Sequence, residues 1–276
     1  MNRWEMERNG QTSVHAADLR RSIQRGQFTL LRYSEARDEQ PRDTQATQMP
    51  GLQRRHSASA LGLAGLAAFA LMGTLVQMRL FSGLDNAVAR SMAHVGSPVL
   101  DWWASIAGSL ASAEFAIAYA VLLGIVLWRI GAGWWAISPF AFLVPTGLEL
   151  ALKTWLYQPP IPASLHFHVA ASSDLPTVIL RGSFPSGHSL RSAFFCTFLA
   201  ILFWNRERPS SRLLAIAILT IAPAVGLAML YASWHWTSDV VAGLVLGASV
   251  ALIITPFVAR RLKSHEPLRQ LTRSLP

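Results

Sequence analysis

Two residues that can support nucleophilic chemistry, His235 and Asp239, lie four positions apart beside a long apolar segment. Side chains with this spacing share one face of a helix. A carboxylate that accepts a hydrogen bond from one imidazole nitrogen fixes the tautomer, and the other nitrogen can then act as a nucleophile or a base. The pair is equally compatible with a structural role, in which a His–Asp pair caps the start of a helix.

A second candidate group is the tripeptide Ser186-Gly187-His188, which lies where a loop meets another apolar segment. The first turn of a helix has free backbone N–H groups and a dipole that favours an anion. Ser186 suits the N-cap position, and Gly187 allows a phosphate oxygen to approach the backbone closely. The alternative is an ordinary helix start without a ligand.

Cationic side chains occur near both groups. Lys153 ends an apolar segment with Glu149 one turn before it, and Arg181 and Arg191 flank the Ser-Gly-His turn. Two guanidinium groups beside an anion site favour phosphate binding. Each cation also has a simpler explanation, because long basic side chains at helix ends reach the membrane interface and Glu149 can pair with Lys153.

Together these residues predict phosphoryl transfer through a phosphohistidine. His235 would attack phosphorus while Asp239 stabilises the resulting imidazolium. His188 would protonate the leaving oxygen. Lys153, the arginines and the backbone N–H groups of the turn would stabilise the charge of the transition state.

This chemistry requires no metal and no cofactor. His166 and His168 alternate on an extended loop, but no third ligand with a clear spacing accompanies them, so a metal centre is not predicted. The chain has one cysteine, Cys196, which excludes an intramolecular disulfide and a cysteine-based metal cluster.

The elements that position these residues must lie in a membrane. Of the 276 residues, 52% are hydrophobic and 14% are charged, whereas soluble domains carry roughly 25% charged residues. So few charged residues cannot cover a globular surface, which argues strongly against a soluble cytosolic enzyme.

Apolar segments of about 20 residues can cross a hydrocarbon core. They predict six transmembrane helices, at 58–80, 112–130, 133–156, 189–204, 212–231 and 239–259. Residues 81–111 have apolar positions at roughly helical spacing and are predicted to form a helical hairpin at the membrane interface. The expected fold class is therefore an all-α polytopic membrane protein.

The basic residues predict the orientation of this membrane domain, which we assign to 57–262. With both termini in the cytoplasm, 19 of the 24 Lys and Arg residues lie on the inside, as the positive-inside rule requires. Residues 1–56 are predicted to be a mostly disordered cytoplasmic tail, and 263–276 a basic one. The net charge of +9 is then a signal of topology, so no nucleic-acid partner is expected.

The site residues also carry a resemblance to a known family. The chain resembles the type 2 phosphatidic acid phosphatase superfamily of integral membrane lipid phosphatases over roughly 58–260, in Lys153, Phe184-Pro185-Ser186-Gly187-His188 and His235-x3-Asp239. This resemblance implies a six-helix bundle with an extracytoplasmic site. It also implies metal-free dephosphorylation of a lipid phosphate or lipid pyrophosphate through a phosphohistidine.

The chain departs from the family pattern at two positions that normally hold arginine. The first motif normally ends in Arg-Pro, where this chain has Pro160 and Ile161, and the third normally opens with Ser-Arg, where it has Ala228 and Met229. Losing two charge-assisted contacts weakens transition-state stabilisation unless other groups replace them.

Two interpretations of this loss remain. Arg181 and Arg191 can supply the charge from new positions, since Arg191 follows His188 by three residues and can point at the same anion. Alternatively, the site is degenerate and the protein binds or moves a phospholipid without hydrolysing it. The retained Lys153, His188 and His–Asp pair favour an active enzyme.

Other functions fit parts of the pattern. A phosphotransferase on the same scaffold would pass the phosphoryl group to a lipid or sugar instead of water, and a transporter or scaffold would not need the histidines. A soluble vanadium-type haloperoxidase shares similar motifs but not the apolar spans. From the resemblance, a bacterial inner membrane and the substrates undecaprenyl pyrophosphate, phosphatidic acid or phosphatidylglycerol phosphate are expected.

Overall fold

The computed structural model describes residues 49–165, 182–206 and 208–273, and every regular element in these ranges is helical. The chain divides into two compact units, Met1–Gln53 and Arg54–Pro276, of which the second holds the site residues. The α-helices of the described ranges are α1 (Met49–Gln77), α2 (Ser82–Ala93), α3 (Pro98–Leu110), α4 (Ala113–Arg129), α5 (Leu143–Trp155), α6 (Gly187–Trp204), α7 (Pro209–Tyr231) and α8 (Thr237–Arg273). A 3-10 helix, Gly133–Phe142, leads directly into α5, and a short one spans Ala163–Leu165.

Five helical segments of the described chain are long and apolar enough to cross a membrane. They are Ser57–Gln77, Gly133–Trp155, Gly187–Trp204, Pro209–Tyr231 and Thr237–Ser264. Each agrees with a predicted span to within a few residues at most ends. The all-helical, polytopic membrane fold is therefore confirmed.

The remaining predicted span, 112–130, is not a single membrane-spanning helix in the structure. Helix α4 is 17 residues long, and it reaches the length of a span only together with α3, from which it is bent by 56°. The bend lies at Ala111, which is the C-cap of α3, and Ser112, which caps α4 by accepting a hydrogen bond from the Phe115 N–H (3.5 Å). Residues 81–111, which are predicted to form a helical hairpin, form the helices α2 and α3. Helix α3 is the first member of the bent pair.

Two other boundaries also differ from the sequence prediction. Helix α1 begins at Met49, inside the segment assigned to the polar tail, and α8 continues to Arg273 rather than ending near 259. In both helices the apolar part lies where the sequence predicts it. A helix can continue past the hydrocarbon core, since its backbone hydrogen bonds are satisfied internally.

Helix α6 is central, and it packs mainly against α8 and α7. Phe194 and Phe198 on α6 are completely buried. The close approach of α6 and α8 depends on Gly243 and Gly247, where an added Cβ would overlap the carbonyl oxygens of Ser186 and Leu190. Small residues spaced in this way allow two membrane helices to bring their backbones into contact.

This contact determines where the site lies. It places the start of α8 beside the start of α6, so the two polar turns at 182–186 and 232–236 lie at the same end of the bundle. The C-terminal end of α5 reaches the same end, because Gly182 N–H donates to the Lys153 carbonyl (2.9 Å). Three helix ends therefore converge on one polar cluster.

Candidate active site

The turn before α6 has the local structure that the sequence predicts. Ser186 is the N-cap of α6, and its Oγ accepts a hydrogen bond from the Ser189 N–H at 3.4 Å. The Ser186 N–H donates to the backbone carbonyl of Asp239 at 3.0 Å. The Ser-Gly-His turn is thus tied directly to the first turn of α8.

His235 lies in the polar turn before α8, and Asp239 lies in the first turn of α8. His235 Nδ1 is 3.5 Å from Asp239 Oδ2, which also accepts the backbone N–H of Trp236 at 3.1 Å. The latter contact closes the start of α8 in the manner of a capping box. The carboxylate therefore caps the helix and lies close to the imidazole, to which it makes no well-formed hydrogen bond in the described structure.

The two histidines face each other. The ring centroids of His188 and His235 are 6.1 Å apart, and Trp234 packs beside His188 at 5.8 Å. Among the described residues, neither Nδ1 atom has a hydrogen-bond partner with good geometry. Because reacting atoms in productive complexes lie about 3–3.5 Å apart, one tetrahedral group between the rings can contact both.

Burial keeps the imidazole of His235 uncharged. It lowers the pKa of His235 to about 3, and the positive charge of Lys153 acts in the same direction. Since only an unprotonated nitrogen can attack phosphorus, the environment holds His235 in the form that a nucleophile needs from neutral to mildly acidic pH.

Two cations and one carboxylate lie next to the histidines. Lys153 Nζ is 2.7 Å from Glu149 Oε1, and Arg191 Nη1 is 3.2 Å from Glu149 Oε2. Arg191 also donates from Nε to the carbonyl of Ala111 at 3.0 Å, which fixes the guanidinium between α6 and the break that follows α3. Glu149 therefore bridges both cations, and not Lys153 alone.

The position of Glu149 differs from the expectation for Gly187. The sequence predicts that a phosphate oxygen approaches Gly187, but in the structure the Glu149 carboxylate lies against this glycine and would overlap an added Cβ. A carboxylate satisfies the same preference for an anion at a helix start. The anion position thus exists and is filled from within the chain.

The two positions where arginine is missing, 160 and 229, have different surroundings. Ala228 and Met229 are completely buried in a cluster with Ala104 and Tyr231, so no charge is present there. Pro160, by contrast, is exposed, and the next residue, Ile161, is buried beside Trp236. A cation at position 229 would therefore lie in an apolar cluster, where an unpaired charge is strongly unfavourable.

Most of the predicted site residues lie together in the structure. His235, Asp239, His188, Ser186, Gly187, Lys153 and Arg191 converge at the one end of the bundle described above. Arg181, His166, His168 and Asp174 lie outside the described residues. The prediction that Arg191 replaces a lost arginine stays a prediction, as does the same prediction for Arg181.

Asp85 on α2 is a residue of this region that the sequence analysis missed. Its Oδ1 accepts the Ser238 N–H at 2.9 Å and its Oδ2 accepts the Ser238 hydroxyl at 2.7 Å. Burial raises the pKa of Asp85, while its hydrogen bonds from Ser238 oppose that shift. The available signal was one acidic residue in a segment with helical apolar spacing, which does not reveal its partner.

The segment after α5 completes this support. Gln158 donates from Nε2 to Ser238 Oγ at 3.1 Å, and its carbonyl accepts the Ser183 N–H at 2.9 Å. Trp236 donates from Nε1 to the carbonyl of Pro159 at 2.7 Å. The segment that follows α5 therefore connects both polar turns.

Replacing Asp85 tests this support. We expect Asp85→Ala to destabilise the protein by about 1–3 kcal/mol, because two buried donors of Ser238 lose their acceptor, and to lower any activity of the site. Asp85→Asn should retain more stability, since its amide oxygen can still accept the N–H. Thermal unfolding in detergent checks both variants, with Asn86→Ala on the exposed face of α2 as the control. An Asp85→Ala variant as stable as the control would contradict the role of Asp85.

Within the described ranges, no group of three or more His, Cys, Asp or Glu side chains is arranged to hold a metal ion. His166, His168 and Asp174 fall outside that statement. The polar cluster at the helix ends consists instead of two imidazoles, one partner carboxylate and a carboxylate-bridged pair of cations.

Known proteins resemble this chain in sequence and in fold. Residues 134–263 match the model of the PAP2 superfamily, and this range contains all the candidate residues except Asp85. No curated protein matches the chain.

A solved structure shares the fold. It is the crystal structure of the first transmembrane PAP2 type phosphatidylglycerolphosphate phosphatase from Bacillus subtilis, with a TM-score of 0.59 and 20% sequence identity, covering 71% of this chain and 94% of that one. At that identity the likeness shows the fold, and the family model adds a similarity in sequence over residues 134–263. Residues 134–263, which hold most of the candidate site, are thus similar to the PAP2 superfamily, a group of hydrolases of lipid phosphates, and the fold is similar to that of a transmembrane PAP2 type phosphatase.

Proposed function

We propose that this protein is an active lipid phosphatase that works through a phosphohistidine on His235. The observation that carries this proposal is the pair of imidazoles whose ring centroids are 6.1 Å apart, His188 at the start of α6 and His235 just before α8. Asp239 lies next to His235, on the side of Nδ1. A scaffold or transporter has no need of a buried neutral imidazole that faces a second one.

The proposed reaction has two steps. His235 attacks phosphorus through Nε2, since Nδ1 faces Asp239, and the bond from phosphorus to the lipid oxygen breaks as His188 donates a proton to that oxygen. Water then attacks the phosphohistidine while His188 takes up one of its protons. Inorganic phosphate leaves, and His235 returns to its neutral form.

Lys153 and Arg191 would stabilise the negative charge of the transferring phosphoryl group in both steps. Lys153 and Arg191 are close enough to act electrostatically on His235, and the backbone N–H groups at the start of α6 add further donors. We infer that Arg191 provides part of the charge that the family's missing arginines would supply, with Arg181 as a second candidate. The fixed position of Arg191 between Glu149 and Ala111 supports this inference.

We further propose that the site is extracytoplasmic and that both termini are cytoplasmic. The distribution of basic residues supports this orientation, since 19 of 24 lie in the segments assigned to the inside. In this arrangement 57–262 is the catalytic membrane domain, and 1–56 and 263–276 are cytoplasmic tails.

The substrate class is a lipid phosphomonoester or lipid pyrophosphate. The structurally similar Bacillus subtilis protein is a phosphatidylglycerolphosphate phosphatase, which makes phosphatidylglycerol phosphate one candidate. Phosphatidic acid and undecaprenyl pyrophosphate are the other two.

Phosphate release from these three lipids by the purified protein in detergent tests the function. We expect release from at least one of them, and we expect it to persist unchanged in the presence of EDTA, because the proposed steps use side chains alone. Release that EDTA abolishes would contradict the metal-free route. A folded protein that releases no phosphate from any lipid, with or without an added acceptor, would contradict the enzyme function itself.

A further inference from the structure

The carboxylate of Glu149 lies where the phosphoryl group of a substrate is expected. It contacts Lys153 at 2.7 Å and Arg191 at 3.2 Å, and it lies against Gly187 at the start of α6. These are the two cations and the helix start that the proposed function assigns to phosphate. The side chain thus already makes the contacts that a bound anion would make.

Sterically, the position admits one anion at a time. The Glu149 carboxylate is so close to Gly187 that even a single added Cβ would overlap both of its oxygens. A phosphate oxygen at the same helix start would overlap them too. Glu149 must therefore move before a phosphate can contact Gly187.

The charges lead to the same conclusion. Glu149 and Arg191 are buried, with 3% and 7% of their surfaces exposed, and a buried cation without a partner is strongly unfavourable. In the free protein Glu149 supplies that partner for Arg191 and for Lys153. A doubly charged phosphate with three oxygens can replace it, because such a group makes more charge-assisted hydrogen bonds than a single carboxylate.

We propose that Glu149 is a resident counter-anion, which occupies the phosphate position in the free protein and swings aside when a tetrahedral oxyanion binds. This inference rests on the proposed function, which defines the position as a phosphate site. Glu149 holds the two cations in place without substrate. In return, it lowers the affinity of the site for every oxyanion, including the phosphate product.

Binding of tungstate, a tetrahedral dianion, tests the proposal without any need for turnover. We expect Glu149→Gln to bind tungstate about tenfold more tightly than the wild type, because the competing charge is removed while the side-chain shape remains. Without tungstate the variant should melt at a lower temperature than the wild type, and tungstate should raise its melting temperature more. Isothermal calorimetry and thermal unfolding in detergent measure the two effects.

Glu114→Gln is the matched control. Glu114 is exposed at the start of α4, and it lies near enough to Arg191 and His188 to act on them electrostatically. The carboxylate that pairs with Lys153 and Arg191 is that of Glu149. Its neutralisation should change tungstate affinity by less than about twofold. If Glu149→Gln does not fold, Glu149→Ala replaces it, with the same expected direction.

Equal or weaker tungstate binding by the folded Glu149 variant would overturn the proposal, and so would an absence of binding by both the variant and the wild type. Phosphate release is measured in parallel. A wild type that binds tungstate but releases no phosphate from any lipid would contradict the proposed function and leave the role of Glu149 standing.

Discussion

Replacing His235 by alanine is expected to reduce phosphate release by at least about 10⁴-fold, the scale on which enzymes lose activity when a nucleophile is removed. The variant should keep the fold, because the side chain contributes no well-formed hydrogen bond from Nδ1 and Asp239 still caps α8 through Trp236. Initial rates with the best lipid of the panel measure the loss. Rapid quenching of the wild type should also trap an acid-labile, alkali-stable phosphoenzyme that the variant lacks.

His94→Ala is the control for this experiment, because His94 is an exposed imidazole outside the site. It should leave the rate unchanged. If His235→Ala retains a tenth or more of the wild-type rate, the phosphohistidine mechanism is wrong. In that case the two imidazoles serve only to bind the anion.

The second large effect is expected from Gly247→Ala. The new methyl group would overlap the backbone of Leu190 on α6 and crowd the Phe194 N–H, and backbone atoms cannot turn away as a flexible side chain can. We expect destabilisation by about 1–3 kcal/mol from overpacking. Phosphate release should fall by about 100-fold, because a displacement of 1 Å between catalytic groups has effects of this size.

Gly147→Ala is the matched control, since Gly147 lies inside α5 and an added Cβ there meets no atom within 4 Å. This variant should be as stable as the wild type or more stable, as alanine favours a helix over glycine by roughly 0.5–1 kcal/mol. Thermal unfolding and initial rates report both variants. A Gly247→Ala protein with normal activity would show that the contact between α6 and α8 does not position the site.

The sequence was sufficient to predict the helices and the local part of the site. The Ser186 cap and the His235–Asp239 pair depend on neighbours within four residues, so their spacing alone indicated the geometry. The long apolar runs predicted the membrane helices for the same reason. The break between α3 and α4 falls where the sequence predicts the hairpin 81–111 to end, but apolar spacing alone does not show that the two helices reach the length of a span only as a bent pair.

Contacts between distant segments could not be predicted in this way. The bond that Arg191 donates to Glu149 joins residues 42 positions apart, and the one that Ser238 donates to Asp85 joins residues 153 apart. A single sequence carries no information on which acid meets which base. The sequence did reveal that two arginines are missing, but only the structure shows that Met229 lies in a sealed apolar cluster.

The hydrogen bond from the Ser186 N–H to the Asp239 carbonyl has a consequence for how the protein responds to its ligand. It joins the two turns that carry the histidines, so α6 and α8 form a rigid half of the site. Lys153 and Glu149 belong to α5, which packs less extensively against α6 than α8 does. Among the described helix ends at the site, we therefore expect α5 to be the one that adjusts to ligands of different size, and the Ser186 amide should be among the slowest of the described residues to exchange its hydrogen for deuterium.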